Sequence, residues 1–241
     1  MRSIVCYLYG VLCFLRTLPK RLKARAYKKR GDTHGLRLHA TQVARQFARS
    51  IFDFSGATVE VIGQENIPKD SAVLFVSNHQ GHLDYAAFLG YIDKPKGFIA
   101  LRGARSIPIV SKWMKDMDCI FMSRTRIKQA VKSIDRGVEL LKSGWSMVIF
   151  PEGRRSKSDT IAPFKAGSFK LATKSKVPII PVTLDGTYKI IEANNYLIVP
   201  THIRVTIHPM IETENLEGEE LKNLPEKVQT VIASALGEAT N

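Results

Sequence analysis

The chain has 241 residues, of which 44% are hydrophobic and 24% are charged, a composition that excludes a disordered chain. This length can form one substantial α/β domain or two small ones. The formal net charge of +14 indicates an anionic partner, which can be nucleic acid, an anionic membrane surface or an acidic protein.

The first predicted element is an uncharged helix at residues 4–15. Crossing a bilayer takes roughly twenty apolar residues, so a helix this short is expected to dip into one leaflet. A spanning helix and a cleaved signal peptide are the alternatives, although no small-residue cleavage site follows. The next segment is a basic block that would meet anionic head groups. Its members are Arg16, Lys20, Arg21, Lys23, Arg25, Lys28, Lys29 and Arg30.

The three cysteines, Cys6, Cys13 and Cys119, form no C-x-x-C pair. Their number and spacing predict neither a disulfide framework nor a zinc site, which favours a reducing compartment. Together with the apolar helix and the basic block, this predicts a peripheral or monotopic protein on the cytoplasmic face of the cell membrane.

A second helix is predicted after the break at Gly31 and Asp32. Its apolar residues recur every three or four positions from Leu36 to Phe54 and form one continuous stripe. The stripe can pack on the main core, or it can form a membrane-docking hairpin with the first helix, and both uses are compatible. We therefore predict a two-helix membrane-docking motif over residues 1–55 and an α/β domain over residues 56–241.

Short apolar runs alternate with helical patterns from Ala57 onward. The predicted strands are residues 58–62, 73–77, 98–100, 119–122, 147–150, 179–183 and 202–208. The predicted helices are residues 85–91, 109–115, 127–141 and 165–174, with a C-terminal helix after Pro225, through Leu236. This alternation predicts an α/β fold with a central sheet flanked by helices. Clean polar and apolar alternation in the last strand predicts a half-exposed antiparallel edge, so a mixed central sheet is expected.

The segment VSNHQGHLD carries the clearest chemistry, because an apolar strand runs directly into polar residues there. His79 and Asp84 are too far around a helix to meet within it, but they could meet if His79 lay in the strand–helix turn and Asp84 in the first helical turn. Gly81 suits such a tight turn. A carboxylate bonded to one imidazole nitrogen would leave the other nitrogen free to accept a proton, as a general base does.

Other interpretations of the same residues remain open. His79, His82 and Asp84 could bind a metal, although no second cluster completes the ligand set. His82 could pair with Asp84 in place of His79, or the pair could be a purely structural helix cap. No G-x-S-x-G nucleophile motif accompanies the segment, so a substrate hydroxyl is the expected nucleophile.

The segment FPEGRRS, after the fifth predicted strand, has the parts of a phosphate-binding corner. Gly153 lets the backbone come close, and the guanidinium groups of Arg154 and Arg155 can fork onto phosphate oxygens. Glu152 cannot bind an anion and is expected to hold an arginine or a substrate hydroxyl. Arg124, near the end of the fourth predicted strand, would point at the same mouth. An exposed basic turn with solvated charges is the alternative.

The blocks NHQGHLD, CIFMSR, FPEGRRS and VPIIPV stand in an order that resembles the glycerolipid acyltransferase family, specifically its 1-acyl-glycerol-3-phosphate acyltransferases. The resemblance covers roughly residues 57–208 and implies that His79 and Asp84 are catalytic. It implies that the acceptor is bound by Arg124, Glu152, Gly153 and Arg155. It also implies that the apolar block at residues 177–182 lies near the acyl chain.

The implied reaction transfers a fatty acyl group from acyl carrier protein or coenzyme A to the 2-hydroxyl of 1-acyl-sn-glycerol-3-phosphate (lysophosphatidic acid). The product would be phosphatidic acid, an intermediate of phospholipid biosynthesis. The implied partners are this donor, this acceptor and an anionic membrane surface; no metal, organic cofactor or nucleic acid is expected. The alternatives are an enzyme for another lysolipid or for glycerol 3-phosphate, and a non-enzymatic anionic-lipid adaptor.

Several positions depart from the family pattern. Arg154 stands where the family usually has Thr, and Ser123 where it has Asp or Asn. Gly81 replaces a common Ser. Leu101 occupies the place of a common Lys, with Arg102 one residue later. We expect these changes to leave the acyl-transfer chemistry intact and to affect how the acceptor is held.

Overall fold

The computed structural model describes residues 2–106, 108–123 and 125–237. These residues form eight α-helices and one seven-stranded sheet. The helices are α1 (Arg2–Leu15), α2 (Lys20–Lys29), α3 (Thr33–Ser55), α4 (Asp84–Tyr91), α5 (Pro108–Asp116), α6 (Ile127–Lys142), α7 (Lys170–Ser175) and α8 (Gly218–Ala233). The strands are β1 (Thr58–Ile62), β2 (Leu74–Ser77), β3 (Lys96–Leu101), β4 (Ile120–Met122), β5 (Ser146–Ile149), β6 (Ile179–Asp185) and β7 (His202–Ile207).

The N-terminal region contains both predicted helices, as α1 and α3, and a third between them. The basic block forms α2, a helix that the sequence interpretation did not separate from its neighbours. Lysine, arginine and alanine are good helix formers, so this segment favours a helix on its own. Arg21 and Lys28 of α2 pair with the buried carboxylate of Asp116 in α5, which ties α2 to the rest of the fold.

The stripe of α3 packs into the main core. Its members Ala40 and Val43 are buried in the apolar layer between the helix and the sheet, so the core interpretation is confirmed for these two, and Phe52 beside the stripe is buried in the same layer. Asp32 caps the start of α3 by accepting the amide N–H of Gly35 at 2.7 Å. Further along the stripe, Phe54 stacks on Tyr9 of α1 with 3.7 Å between ring centroids.

The strand order is β1-β7-β6-β2-β5-β3-β4. Only the β6–β7 pair is antiparallel among the described strand pairs, which confirms a mixed sheet. The antiparallel direction predicted for β7 is confirmed, but its edge position is wrong, because β1 pairs with its outer side. The loops after β2, β4, β5 and β6 open at one end of the sheet, since those strands run parallel.

Two helix layers cover the sheet, with α3, α4 and α5 on one face and α6, α7 and α8 on the other. The C-terminal helix begins at Gly218, earlier than predicted, and contains Pro225. Burial of Leu224, Val228 and Ile232 stabilises this helix despite the hydrogen bond that proline cannot donate. None of the described helices is both long enough and apolar enough to cross a bilayer.

Candidate active site

The turn between β2 and α4 brings His79 and Asp84 together. His79 lies two residues beyond the end of β2, and Asp84 is the first residue of α4. Nδ1 of His79 is 2.6 Å from Oδ2 of Asp84. The predicted arrangement, with one residue in the turn and the other in the first helical turn, is confirmed. Asp84 is fully buried and His79 is 6% exposed.

Three groups converge on the Asp84 carboxylate. Besides the His79 ring, Oδ2 accepts the amide N–H of Gly81 at 3.0 Å, and Oδ1 accepts the hydroxyl of Thr187. A carboxylate accepts only, so Nδ1 of His79 is the ring N–H donor and Nε2 is the nitrogen left to take a proton. Thr187 follows β6, far from Asp84 in the sequence, and the motif gave no sign of it.

Aromatic residues fix the plane of the His79 ring. Phe150, at the end of β5, stacks on it with 4.2 Å between centroids and 18° between planes. Tyr85 of α4 meets the ring edge-on, with 5.7 Å between centroids. Hydrogen bonding and stacking together hold the imidazole in one orientation, as a general base requires.

The other polar residues of NHQGHLD attach the turn to the end of β6. The Asn78 side chain donates to the carbonyl of Leu184 and accepts its amide N–H, both at 2.8 Å. Gln80 accepts the amide N–H of Gly186 at 3.0 Å. These bonds hold the turn in position, so the polar side chains of the motif serve tertiary contacts with the backbone at the end of β6 as well as chemistry.

Glu152 connects the two blocks. Its oxygens accept the amide N–H groups of His79 at 2.7 Å and Ala162 at 2.9 Å. Backbone amides thus engage both oxygens of Glu152, and no arginine of the described residues is bonded to it; the expectation that it holds an arginine or a substrate hydroxyl stays a prediction. Burial raises the pKa of Glu152 above its ordinary value, and the two amide bonds oppose this.

Gly153 makes the turn of the FPEGRRS segment possible. Its φ of +70° lies in the left-handed region, and a Cβ there would come within 2.5 Å of Nζ of Lys165. The Lys165 ammonium thus lies over the turn, although its main-chain position is twelve residues away. This cation was absent from the predicted site, because nothing in the spacing brings it there.

The two consecutive arginines have different surroundings. Arg154 is exposed, whereas the Arg155 side chain is about two-thirds buried, with Nη1 at 3.9 Å from Oε1 of Glu192. Glu192 follows β6 and was also missed by the sequence interpretation. Arg124, predicted to point at the same mouth, lies outside the described residues, so its placement stays a prediction.

His82 does not replace His79 as the partner of Asp84. Its side chain is half exposed and lies 4.0 Å from Glu192. Burial, and then the charge of Arg155, lower the pKa of His82 below its ordinary value. Within the described ranges, no group of three or more His, Cys, Asp or Glu residues is arranged to hold a metal ion.

An apolar cavity of about 390 Å³ opens between α1 and α3 and extends to the residues that flank the site. Leu83, next to Asp84, lines it, as does Ile191, next to Glu192. The remaining lining includes Cys6, Phe14, Phe47, Ile51 and Val110. The block at residues 177–182 lies mostly in the core, because Ile179–Asp185 is a fully buried strand between β2 and β7. Its placement near the acyl chain stays a prediction.

Comparisons with known proteins find similarity to acyltransferases. A family model described as Acyltransferase matches residues 58–185. The chain is 38% identical over 165 residues to "1-acyl-sn-glycerol-3-phosphate acyltransferase BAT2, chloroplastic" of Brassica napus, an alignment that covers 67% of this chain and 47% of that protein. It thus spans about half the length of that relative. It is 31% identical over 182 residues to a 1-acyl-sn-glycerol-3-phosphate acyltransferase of Borreliella burgdorferi, covering 76% of this chain and 73% of that protein.

A solved structure is similar over nearly the whole chain. It is the crystal structure of the 1-acyl-sn-glycerophosphate (LPA) acyltransferase PlsC from Thermotoga maritima. The TM-score is 0.79 at 27% sequence identity, and 97% of this chain and 95% of that chain are covered. The likeness therefore includes the N-terminal helices as well as the sheet.

Proposed function

This chain belongs to the Acyltransferase family, and from that premise we propose that it is a 1-acyl-sn-glycerol-3-phosphate O-acyltransferase. It transfers a fatty acyl group from acyl carrier protein or coenzyme A to the 2-hydroxyl of lysophosphatidic acid, and phosphatidic acid is the product. The names of its relatives support this acceptor. The observation that carries the chemistry is the 2.6 Å contact between His79 and the buried Asp84.

His79 is the general base of the proposed reaction. Nε2 of His79 takes the proton of the acceptor's 2-hydroxyl while Asp84 stabilises the imidazolium that forms. The hydroxyl oxygen attacks the thioester carbonyl and forms a tetrahedral intermediate. The carbon–sulfur bond then breaks, and the thiolate takes the proton from His79. The ester and the free thiol leave, and His79 returns to its neutral form.

The acceptor's phosphate lies at the FPEGRRS turn in this proposal. Arg155 supplies a guanidinium group held beside the His79 turn, and the Lys165 ammonium over Gly153 supplies a second cation. Arg124 is assigned to the same phosphate on the family resemblance alone. Glu152 acts indirectly, because it holds the backbone of His79 and the end of the turn. Charge-assisted bonds of this kind are the strong ones in phosphate recognition.

The apolar cavity between α1 and α3 suits one fatty acyl chain. It reaches Leu83, one residue from Asp84, so a chain lying in it would end close to the reacting atoms. Residues of α1 and α3 together make up most of its lining, and α1 also exposes a row of large apolar side chains. A lipid could therefore pass from the membrane surface to the site along a continuous apolar path.

The N-terminal helices dock the protein on a membrane in this proposal, peripherally and on the cytoplasmic face. α1 exposes a row of large apolar side chains, among them Ile4 at 66% and Leu8 at 65%, and Leu22 of α2 is 67% exposed. Such a surface on one side of the molecule is typical of a membrane or protein contact. The adjacent basic residues of α2 favour an anionic bilayer.

A thiol-release assay tests the proposed function. Purified protein is mixed with an acyl thioester and 1-acyl-glycerol-3-phosphate in detergent micelles, and free thiol and phosphatidic acid are both quantified. We expect equal amounts of the two products. Profiling glycerol 3-phosphate and other lysolipids as acceptors identifies a different substrate. A protein that binds anionic vesicles but releases no thiol from either donor would be an adaptor, and the proposal would be wrong.

A further inference from the structure

Glu192 lies where the two functional blocks meet. It begins a short 3₁₀ turn after β6, and its side chain is fully buried. Oε1 accepts the amide N–H of His82 at 2.6 Å and lies 3.9 Å from Nη1 of Arg155. One carboxylate therefore contacts the His79–Asp84 turn and the proposed phosphate-binding arginine.

Glu192 and Arg155 are close but incompletely paired. In the part of the chain that the structure describes, Oε2 of Glu192 and Nη1 of Arg155 are buried and make no hydrogen bond. Buried charges usually satisfy their hydrogen-bonding capacity, and exceptions concentrate at functional sites. At 3.9 Å the pair attracts electrostatically and leaves the guanidinium donors available to another anion.

Gly81 is the residue that makes room for Glu192. A Cβ at position 81 would lie 2.9 Å from Oε2 of Glu192, closer than real contacts allow. The φ of Gly81 is not among the positive values, so the close approach of Glu192, and not backbone conformation, is what a side chain at position 81 would disturb. A serine at position 81, as is common in the family, would require the Glu192 carboxylate to shift.

We infer that Glu192 is a positioning residue for acyl transfer, a conclusion that rests on the proposed function. It has two separable effects. Its oxygen holds the backbone of the turn between His79 and Asp84, and its negative charge keeps the Arg155 guanidinium on the side of the acceptor's phosphate. Glu192 touches no reacting atom in this assignment.

Two substitutions separate these effects. In Glu192→Gln the amide oxygen still accepts the His82 N–H, but the charge is gone. Glu192→Ala removes both. Glu214→Gln, at an exposed position, is the matched control. Kinetics are measured with lysophosphatidic acid and with a monoacylglycerol, which lacks phosphate.

For Glu192→Gln we expect a KM for lysophosphatidic acid about two- to tenfold higher, the range expected when one long side chain must be ordered on binding. The kcat should stay within about twofold, and use of the monoacylglycerol should not change. Glu192→Ala should also lower kcat, because the turn is released. The assignment would be overturned if Glu192→Gln had wild-type kinetics, or if its activity fell equally with lysophosphatidic acid and with the monoacylglycerol.

A second measurement is independent of activity. Amide hydrogen exchange in the peptide containing residues 79–84 should be faster in Glu192→Ala and unchanged in Glu192→Gln and in the control. Equal exchange in all variants would show that Glu192 does not hold the turn. If the wild-type protein releases no thiol, the proposed function fails, and the exchange result alone then decides the structural role of Glu192.

Discussion

Nδ1 of His79 lies 2.6 Å from Oδ2 of Asp84, and the same carboxylate also accepts the Gly81 amide and the Thr187 hydroxyl. This convergence of donors on one buried acid leaves the imidazole a single orientation. The two side chains can meet across the strand–helix turn only if the backbone between them is held in one conformation. The turn accordingly has contacts to β6, to Glu152 and to Glu192.

The first prediction concerns the base. His79→Ala should lower kcat by about 10² to 10⁴, the usual contribution of a general base, while circular dichroism shows a folded protein. His82→Ala is the matched control, because its side chain is half exposed and the bond to Glu192 uses its backbone N–H. Similar losses in both variants, or no loss in His79→Ala, would contradict the assignment.

The second prediction separates Arg155 from Arg154. Arg155→Ala should raise the KM for lysophosphatidic acid by about ten- to a hundredfold, the value of one charge-assisted bond to an anion. Use of a monoacylglycerol should hardly change. Arg154→Thr, which restores the residue usual in the family, should leave acceptor KM near wild type because Arg154 is exposed. The reverse pattern would show that the two positions have exchanged roles.

The third prediction concerns Lys165. Lys165→Ala should raise the KM for lysophosphatidic acid by about three- to tenfold, less than Arg155→Ala, because solvent and salt screen an exposed ammonium. The increase should shrink at high ionic strength. Lys170→Ala, an exposed lysine on the same segment, provides the comparison. An unchanged KM at low salt would remove Lys165 from the proposed phosphate site.

The fourth prediction concerns pH and the buried Lys96 of β3. Burial, and then the charge of Arg45, lower its pKa from 10.5 to about 7, while Asp93 opposes the shift. Between these pH values the unfolded chain binds more protons at this lysine than the folded protein does. Stability therefore rises with pH across that window, by at most about 1.4 kcal/mol per pH unit.

Comparison with Lys96→Met isolates this contribution. The variant loses the hydrogen bonds of Nζ to the carbonyls of Ile92 and Lys94, which adds a constant difference. The unfolding free energy of wild type minus that of the variant should rise from pH 7 to pH 9 in urea denaturation. A difference that stays flat over that range would show that Lys96 titrates normally.

The fifth prediction concerns the membrane surface. Leu8→Glu combined with Val11→Glu should weaken binding to vesicles of phosphatidylcholine and phosphatidylglycerol by more than about tenfold, because it removes two apolar anchors. Leu221→Glu is the control, an exposed leucine on α8. Sedimentation with the vesicles measures the bound fraction. Unchanged binding would place the docking surface elsewhere than on α1.

The sequence by itself predicted the order of the strands along the chain and the meeting of His79 with Asp84. Both follow from local rules. Apolar periodicity indicates which residues are buried, and two side chains five residues apart can meet only in a few conformations of the turn between them. The α/β class followed in the same way from alternating strands and helices, and the antiparallel direction of the last strand followed from its alternation of polar and apolar residues. The N-terminal apolar and basic segments were also visible without a structure, although α2 was not recognised as a separate helix.

Only the tertiary structure placed Thr187, Glu192 and Lys165 at the site. Each is brought there by the chain's return after β5 or β6, and such long-range contacts have no periodic or motif signal. The hydrogen bonds of Glu152 could not be predicted for the same reason, because its partners are backbone amides that no side-chain pattern reveals. The prediction that β7 is an edge strand was wrong because alternation indicates only which face of a strand is buried. Whether another strand hydrogen-bonds to its free edge depends on how strands distant in the sequence pair.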